Sequence, residues 1–291
     1  MILISGTICS GVKTICLFLK KQFKTQLING NEYNSEELLL FLTNNWDKNY
    51  CVYNLKGLDL NLFKKRPFIC FIFVDATSNI RSKRFKIKFK KEYQFEKDNF
   101  QGSDMYHTLI SNSHLTILNN FKTKKELFLF ILKLNIFNDN RIRPNWDTYF
   151  IKLAQLASKR SNCMKQQVGC IIVHNNRITS TGYNGTPQGI KNCRDGGCKR
   201  CNHGDSSGKN LDLCLCLHAE ENAIMEVGKS RILKESIMYC TLFPCVGCSK
   251  KIVQMGISKI IYLKEYNIEL KEICLNIFKE SGIIVEKYFL S

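Results

Sequence analysis

Two short segments of this 291-residue chain carry residue types suited to a catalytic metal: HAEENAI (His218 to Ile224) and PCVGC (Pro244 to Cys248). One imidazole and two thiolates suit a tetrahedral zinc site that keeps its fourth position for water. Cys245 and Cys248 stand three apart, so at the first turn of a helix both sulfurs can reach one ion. A helix N-terminus also favours the thiolate form that the metal requires. Glu220 follows His218 by two residues, close enough to exchange protons with that water without being a ligand. A CxxC alone fits a structural metal or chance, and a lone histidine is more often core. Two such motifs, each opening a predicted helix with a strand between them, are far more specific. His218, Cys245 and Cys248 are therefore the expected zinc ligands and Glu220 the proton carrier. Glu221 is read as a capping or packing residue.

The cysteine count points to further metal. Fifteen cysteines make an odd number, and eight of them lie between Cys193 and Cys248. Without an export signal, such clustering favours metal over disulfides. Cys193, Cys198 and Cys201 follow C-x4-C-x2-C spacing in a glycine-rich stretch, with His203, Cys214 and Cys216 nearby. A structural zinc would order so loose a segment. The ligands expected are Cys193, Cys198, Cys201 and one of Cys214 or Cys216; the alternative is that some are free or packing cysteines. Cys163, Cys170, Cys240 and Cys274 are read as core.

The elements that must position these groups fall into two halves. The polar segment NDNRIRPN (Asn138 to Asn145) separates domains at 1–140 and 141–291. In the second, the apolar spacing predicts helices over 146–160, 219–227, 245–255 and 269–281. Strands are predicted over 168–174, 177–183, 236–241, 259–263 and 283–286. Five strands interleaved with helices imply a three-layer α/β/α domain around a five-stranded mixed sheet. In the first, strands at 1–5, 51–55, 67–74 and 115–118 alternate with helices at 12–24, 35–44, 78–91 and 123–135, an α/β domain with a largely parallel sheet. Its first turn, GTICSGVKT (Gly6 to Thr14), looks like a phosphate-binding P-loop, but Val12 intervenes between the second glycine and Lys13. The loop amides and the lysine then no longer converge on the same phosphates. Asp75 is the one obvious metal-binding carboxylate near it, and RSKRFKIKFKK (Arg81 to Lys91) reads as the remnant of a kinase lid or a solvated basic face. A degenerate, non-catalytic nucleotide-kinase-like domain is expected.

Composition is that of a soluble globular protein, 44% hydrophobic and 23% charged. No apolar run approaches the roughly 18 residues of a membrane span, and a cytoplasmic or nuclear protein is expected. The net charge of +18 is spread evenly, +9 on either side of residue 140. That is weak support for a nucleic-acid partner, because no basic arm or tail concentrates it.

The H-x-E … P-C-x-x-C pattern is that of the zinc-dependent nucleobase deaminases, in which water attacks the amino-bearing ring carbon and the glutamate shuttles protons. Within that superfamily, the segments RPNWDTYFIKLAQLASKRSNCMKQQVGCIIV, STGYNGTPQG, CLHAEENAI and LFPCVGCSKKIVQMGISKIIY resemble the deoxycytidylate (dCMP) deaminases. The similarity covers most of residues 143–291, and the GYNG-x-P element (Gly182 to Pro187) is characteristic of that family. A kinase-like region ahead of the deaminase domain resembles the fungal form. The resemblance implies hydrolysis of dCMP to dUMP and ammonia, feeding thymidylate synthesis. It also implies a homohexamer activated by dCTP and inhibited by dTTP, with Mg2+ accompanying the nucleotide effector. Tyr183, Asn184, Gly185 and Thr186 would then contact substrate or effector, Asn184 at the sugar. Spacing does not choose a phosphate ligand among Lys165, Arg177 and Lys250. A deaminase acting on a polynucleotide is the competing reading; it accounts for the charge but not for GYNG-x-P.

Overall fold

The structure, a computed structural model, describes residues 1–92, 104–203, 210, 213–228, 235–265 and 268–289. The chain divides into two compact units, Met1–Arg143 and Pro144–Ser291. Among the described residues no helix is long and apolar enough to cross a membrane.

The first unit runs β1 (Ile2–Gly6), α1 (Val12–Phe23), β2 (Gln26–Asn29), α2 (Ser35–Asn44), β3 (Tyr50–Tyr53), α3 (Leu60–Lys64), β4 (Cys70–Asp75), α4 (Ser78–Phe89), α5 (Asp104–Asn112), β5 (Leu115–Leu118) and α6 (Lys124–Leu134). All pairings are parallel, in the order β2-β3-β1-β4-β5. Alternation along β1 and β4 splits the core: Ile2, Ile4, Ile72 and Val74 pack with α1 and α6, while Leu3, Phe71 and Phe73 pack with α2, α3 and α5. Three elements here escaped the sequence reading. β2 is the four-residue segment QLIN with one buried side chain, α3 has five residues, and α5 follows residues 93–103, which lie outside the description.

The second unit runs α7 (Trp146–Ser158), β6 (Gly169–His174), β7 (Arg177–Tyr183), α8 (Lys199–Asn202), α9 (Ala219–Val227), β8 (Ile237–Leu242), α10 (Val246–Met255), β9 (Lys259–Lys264), α11 (Ile268–Glu280) and β10 (Ile284–Lys287). The sheet order is β10-β9-β8-β6-β7. The β7/β6 and β6/β8 pairs are antiparallel, and β8/β9 and β9/β10 are parallel. Period-two alternation makes the layers. Cys170, Ile172, Met238, Cys240, Ile260 and Tyr262 face Ala223, Cys248, Ile252, Cys274 and Phe278 on α9, α10 and α11. Ile171, Val173, Tyr239 and Ile261 face Phe150, Ile151 and Ala154 on α7. Each such fully buried large side chain contributes about 1.5–3 kcal/mol, and the sheet between two helical layers is the rigid base for the site.

α7 starts where Asn145 accepts the Thr148 amide at 2.8 Å. Tyr288, just beyond β10, shares a hydrogen bond with the Thr148 hydroxyl and donates to Asn145 Oδ1 at 3.3 Å. The start of the helix is thus held by a side chain 140 residues away.

Candidate active site

Both metal-type motifs sit where a chain segment turns into a helix. His218 is the N-cap of α9 and Cys245 the N-cap of α10, so two helix N-termini open on one point. The approach to Cys245 is fixed from β8: the Phe243 amide donates to Lys264 O at 2.8 Å, and its buried ring packs edge-on against Tyr262 and Phe278. His218 Nδ1 lies 3.3 Å from Cys245 Sγ and 3.4 Å from Cys248 Sγ. Ligands around one tetrahedral zinc would have N···S edges of about 3.5 Å, from Zn–N and Zn–S distances of about 2.0 and 2.3 Å. The donor set and its spacing fit zinc, with Nδ1 as the imidazole ligand.

Without an ion, the three donors hold protons that a metal must displace. A hydrogen bond from Cys248 holds Cys245 as a thiolate, down to about 4, against the effect of burial. The same bond, together with burial, pushes the Cys248 thiol up. His218 rises to about 9, chiefly through its hydrogen bond to Cys245. From a thiolate–imidazolium pair with one shared thiol proton, zinc binding releases protons and tightens as pH rises.

Glu220 lies one residue into α9 and is only 4% exposed. Burial pushes its carboxyl up to about 7, while the charge of His218 pulls the other way. A carboxyl near neutrality can both take and give a proton at working pH. Glu221 points elsewhere. Its Oε2 accepts the His218 amide at 2.7 Å and its other oxygen pairs with Lys251. Burial works against that charge, but the His218 amide and Lys251 hold the carboxyl below its ordinary range. It caps α9 at the residue that presents the imidazole.

α9 is seated on β7 with almost no clearance. A Cβ at Gly182 would meet Ala219 O at 2.1 Å and Ala223 N at 2.5 Å, both helix backbone. Ser180 Oγ donates to Ala223 O at 2.8 Å, and Asn222 Nδ2 to Tyr183 O at 2.7 Å. Gly182→Ala must push α9, with His218 and Glu220, away from Cys245 and Cys248. It is expected to cost about 1–3 kcal/mol of stability and to weaken zinc retention; thermal melts with and without a chelator check this.

The segment Tyr183 to Thr186 borders the same point. Gly185 and Leu217 exchange backbone hydrogen bonds of 3.2 and 2.9 Å, placing the loop beside the residue before His218. Tyr183 is 38% exposed. The Asn184 carboxamide accepts the Val168 amide and donates to Gln166 O, both at 2.8 Å, so it shapes the wall of the loop. Thr186 Oγ1 is buried and has no hydrogen-bond partner, a polar atom that a ligand or water would satisfy. Arg177 stands at the opposite end of β7 from Tyr183, about 20 Å away at roughly 3.3 Å per residue. That removes it as a phosphate ligand.

The cysteine-rich segment forms two overlapping quartets, Cys163/Cys193/Cys201/Cys216 and Cys198/Cys201/Cys214/Cys216, each with its sulfurs within 4.8 Å of one another. This corrects the ligand set expected from spacing, because Cys193 and Cys198 fall in different quartets. The turn through Gly196, at φ 93°, separates them. Cys163 is also corrected. It is half-buried with its sulfur 4.0 Å from Cys201, whereas Cys170 and Cys240 pair at 3.7 Å inside the core and Cys274 is fully buried. His203 belongs to neither quartet.

In the first unit, the loop after β1 turns into α1 through Gly11 at φ 106°. It borders a cleft of about 620 Å³ lined by Lys13, Arg84, Lys88, Lys122 and Lys124, with no carboxylate among its lining residues. Asp75 Oδ1 accepts from the Thr7 hydroxyl and the Ala76 amide and lies 3.9 Å from Arg81 Nε, so that oxygen serves the loop. The basic segment is α4, and it is not simply a solvated face: Arg81 is buried and donates to Ala76 O.

The sequence profile of the cytidine and deoxycytidylate deaminase zinc-binding region matches residues 144–264. The deoxycytidylate deaminase of Schizosaccharomyces pombe is 35% identical over 316 residues, spanning 98% of this chain and 96% of its own. That of Saccharomyces cerevisiae is 38% identical over 302 residues, spanning 98% and 95%. Among solved structures, the dCMP deaminase of cyanophage S-TIM5 in complex with dCMP and dUMP is 35% identical, covers 50% of this chain and 98% of its own, and superposes with a TM-score of 0.42. With a zinc-type donor set in its second unit and relatives matched from end to end, this chain belongs to the deoxycytidylate deaminase family.

Proposed function

We propose that this protein hydrolyses dCMP to dUMP and ammonia, using zinc held by His218, Cys245 and Cys248 and protons carried by Glu220. The observation that carries the reading is the approach of His218 Nδ1 to both sulfurs, at 3.3 and 3.4 Å, with Glu220 buried beside it. Bound zinc supplies a Lewis acid that makes a water nucleophilic. Glu220 is placed to take a proton from the water that attacks C4 of cytosine and to deliver protons to ring N3 and to the departing amino group. One water is consumed and one ammonia leaves. The Glu221 carboxylate that caps α9 holds His218 in place while Glu220, kept from solvent, passes protons over short distances. Thr186 and its neighbours Tyr183, Asn184 and Gly185 border the substrate or effector, with the partnerless Thr186 hydroxyl as the supporting observation.

The regulatory reading follows the family. dCTP, with Mg2+ as its counterion, activates; dTTP inhibits; the working form is a homohexamer in the cytoplasm and, secondarily, the nucleus. The cysteine quartets hold structural zinc. The first unit is a nucleotide-kinase-like domain without phosphoryl transfer. Its all-parallel sheet, the P-loop-like turn and the cationic cleft support that assignment, and the extra Val12 and the engaged Asp75 argue against catalysis. A panel of dCMP, CMP, cytidine and tRNA, each with and without dCTP, tests the substrate. Preference for dCMP and activation by dCTP are expected; faster turnover of tRNA would overturn the assignment.

A further inference from the structure

We propose that the six cysteines of the loop region hold two zinc ions that share the thiolates of Cys201 and Cys216, a binuclear cluster separate from the catalytic ion. It rests on the reading that this segment binds structural metal, and goes beyond it in number, ligands and bridging. The two quartets contain six different cysteines and have two in common. That is the connectivity of two tetrahedra joined along one edge: Cys163 and Cys193 terminal on one ion, Cys198 and Cys214 terminal on the other.

Distances agree. Four thiolates on one zinc have S···S edges of about 3.8 Å, from a Zn–S distance of about 2.3 Å in a tetrahedron. The sulfurs lie 4.0 Å apart for Cys163 and Cys201, 4.0 Å for Cys198 and Cys214, and 3.7 Å for Cys201 and Cys214. A single ion cannot account for the arrangement. It takes four ligands, so filling one quartet strands Cys198 and Cys214, and filling the other strands Cys163 and Cys193. Either choice leaves a sulfur with zero exposure unused, Cys198 or Cys193. Packing does not explain them either. These buried cysteines form a cluster made of cysteines alone, with no aliphatic or aromatic side chain in it.

The surroundings suit concentrated negative charge. Six thiolates and two dications leave a net charge of −2. Arg200, 9% exposed, hydrogen-bonds Cys214 and Cys201, and the Leu215 amide donates to Cys198 Sγ at 3.4 Å. The ligands come from three stretches: Cys163 after α7, Cys193 to Cys201 around α8, and Cys214 to Cys216 just before His218. Two ions would therefore tie these three separate stretches together.

Zinc counted per subunit of the full chain is the test. Three equivalents are expected; two would mean one structural ion and overturn the sharing, and one would overturn both the cluster and the structural-metal reading. Loading the same protein with cadmium-113 gives a check that needs no variant. Two of its three resonances are expected to split each other by scalar coupling through the shared sulfurs, with the third, from the His218 site, unsplit. Three uncoupled resonances would overturn the proposal. Cys163→Ser and Cys214→Ser, each removing a terminal ligand, are expected to lose one zinc apiece and keep the catalytic one.

Discussion

Glu220→Gln lowers kcat about 10³- to 10⁴-fold, the upper part of the range for general acid–base catalysis, because one side chain serves both the attacking water and the leaving amine. Zinc content stays at the parental value. The amide matches the carboxylate in size, so the 4% exposed pocket keeps its packing. Stability responds in a direction that separates a catalytic role from a structural one. Burial raises the Glu220 carboxyl from 4.5 to about 7, so the folded, metal-free protein binds more protons than the unfolded chain between those values. Its stability therefore falls as pH rises through that window. Glutamine removes the penalty, and the metal-free variant should exceed the parent above pH 7 by up to about 3 kcal/mol. Steady-state rates, zinc analysis and melts across pH 4–8 measure all three. A near-normal rate would end the proton-carrier assignment.

Cys248→Ala removes the catalytic ion and reduces turnover to background. Cys248 has zero exposure and sits 3.4 Å from the imidazole, so its loss leaves two donors where zinc needs three from the protein. One equivalent of zinc should disappear while the metal of the cysteine-rich loop stays. Cys274→Ala is the matched control. It too is fully buried in the same core, but it is no ligand, so it should cost about 1–2 kcal/mol and keep both metal and activity. A Cys248→Ala protein with parental zinc and turnover would refute the ligand set.

The meeting of His218, Cys245 and Cys248 was legible in the sequence because each motif is local. A three-residue step on a helix brings two sulfurs together whatever the rest of the chain does, and His218 and Glu220 share one helix start. The strands facing two helical layers were legible for the same reason, since alternation is written residue by residue. What escaped depends on distant parts meeting. Cys163 lies 30 residues before Cys193 and joins it only because the loop after α7 folds against the turn at Gly196. The C-x4-C spacing suggested that Cys193 and Cys198 share an ion, and that turn sends them apart. Arg177 was equally eligible with Lys165 and Lys250 until β7 put it at the wrong end of a strand. β2 and α3 are four and five residues long and carry too few apolar positions to show a period.

Tyr288 closes the N-terminus of α7 from 140 residues downstream. On a ribosome adding about 5–20 residues per second, that separation is a delay of about 7–28 s. Throughout it, α7 and its N-cap Asn145 have been made but Tyr288 has not, and the apolar face of Phe150, Ile151 and Ala154 is covered strand by strand as β6, β8 and β9 emerge. The described strands of the first unit are all made before α7 begins, so the two units enter the cell on different clocks. The metal-binding unit is the one whose first helix is fastened late.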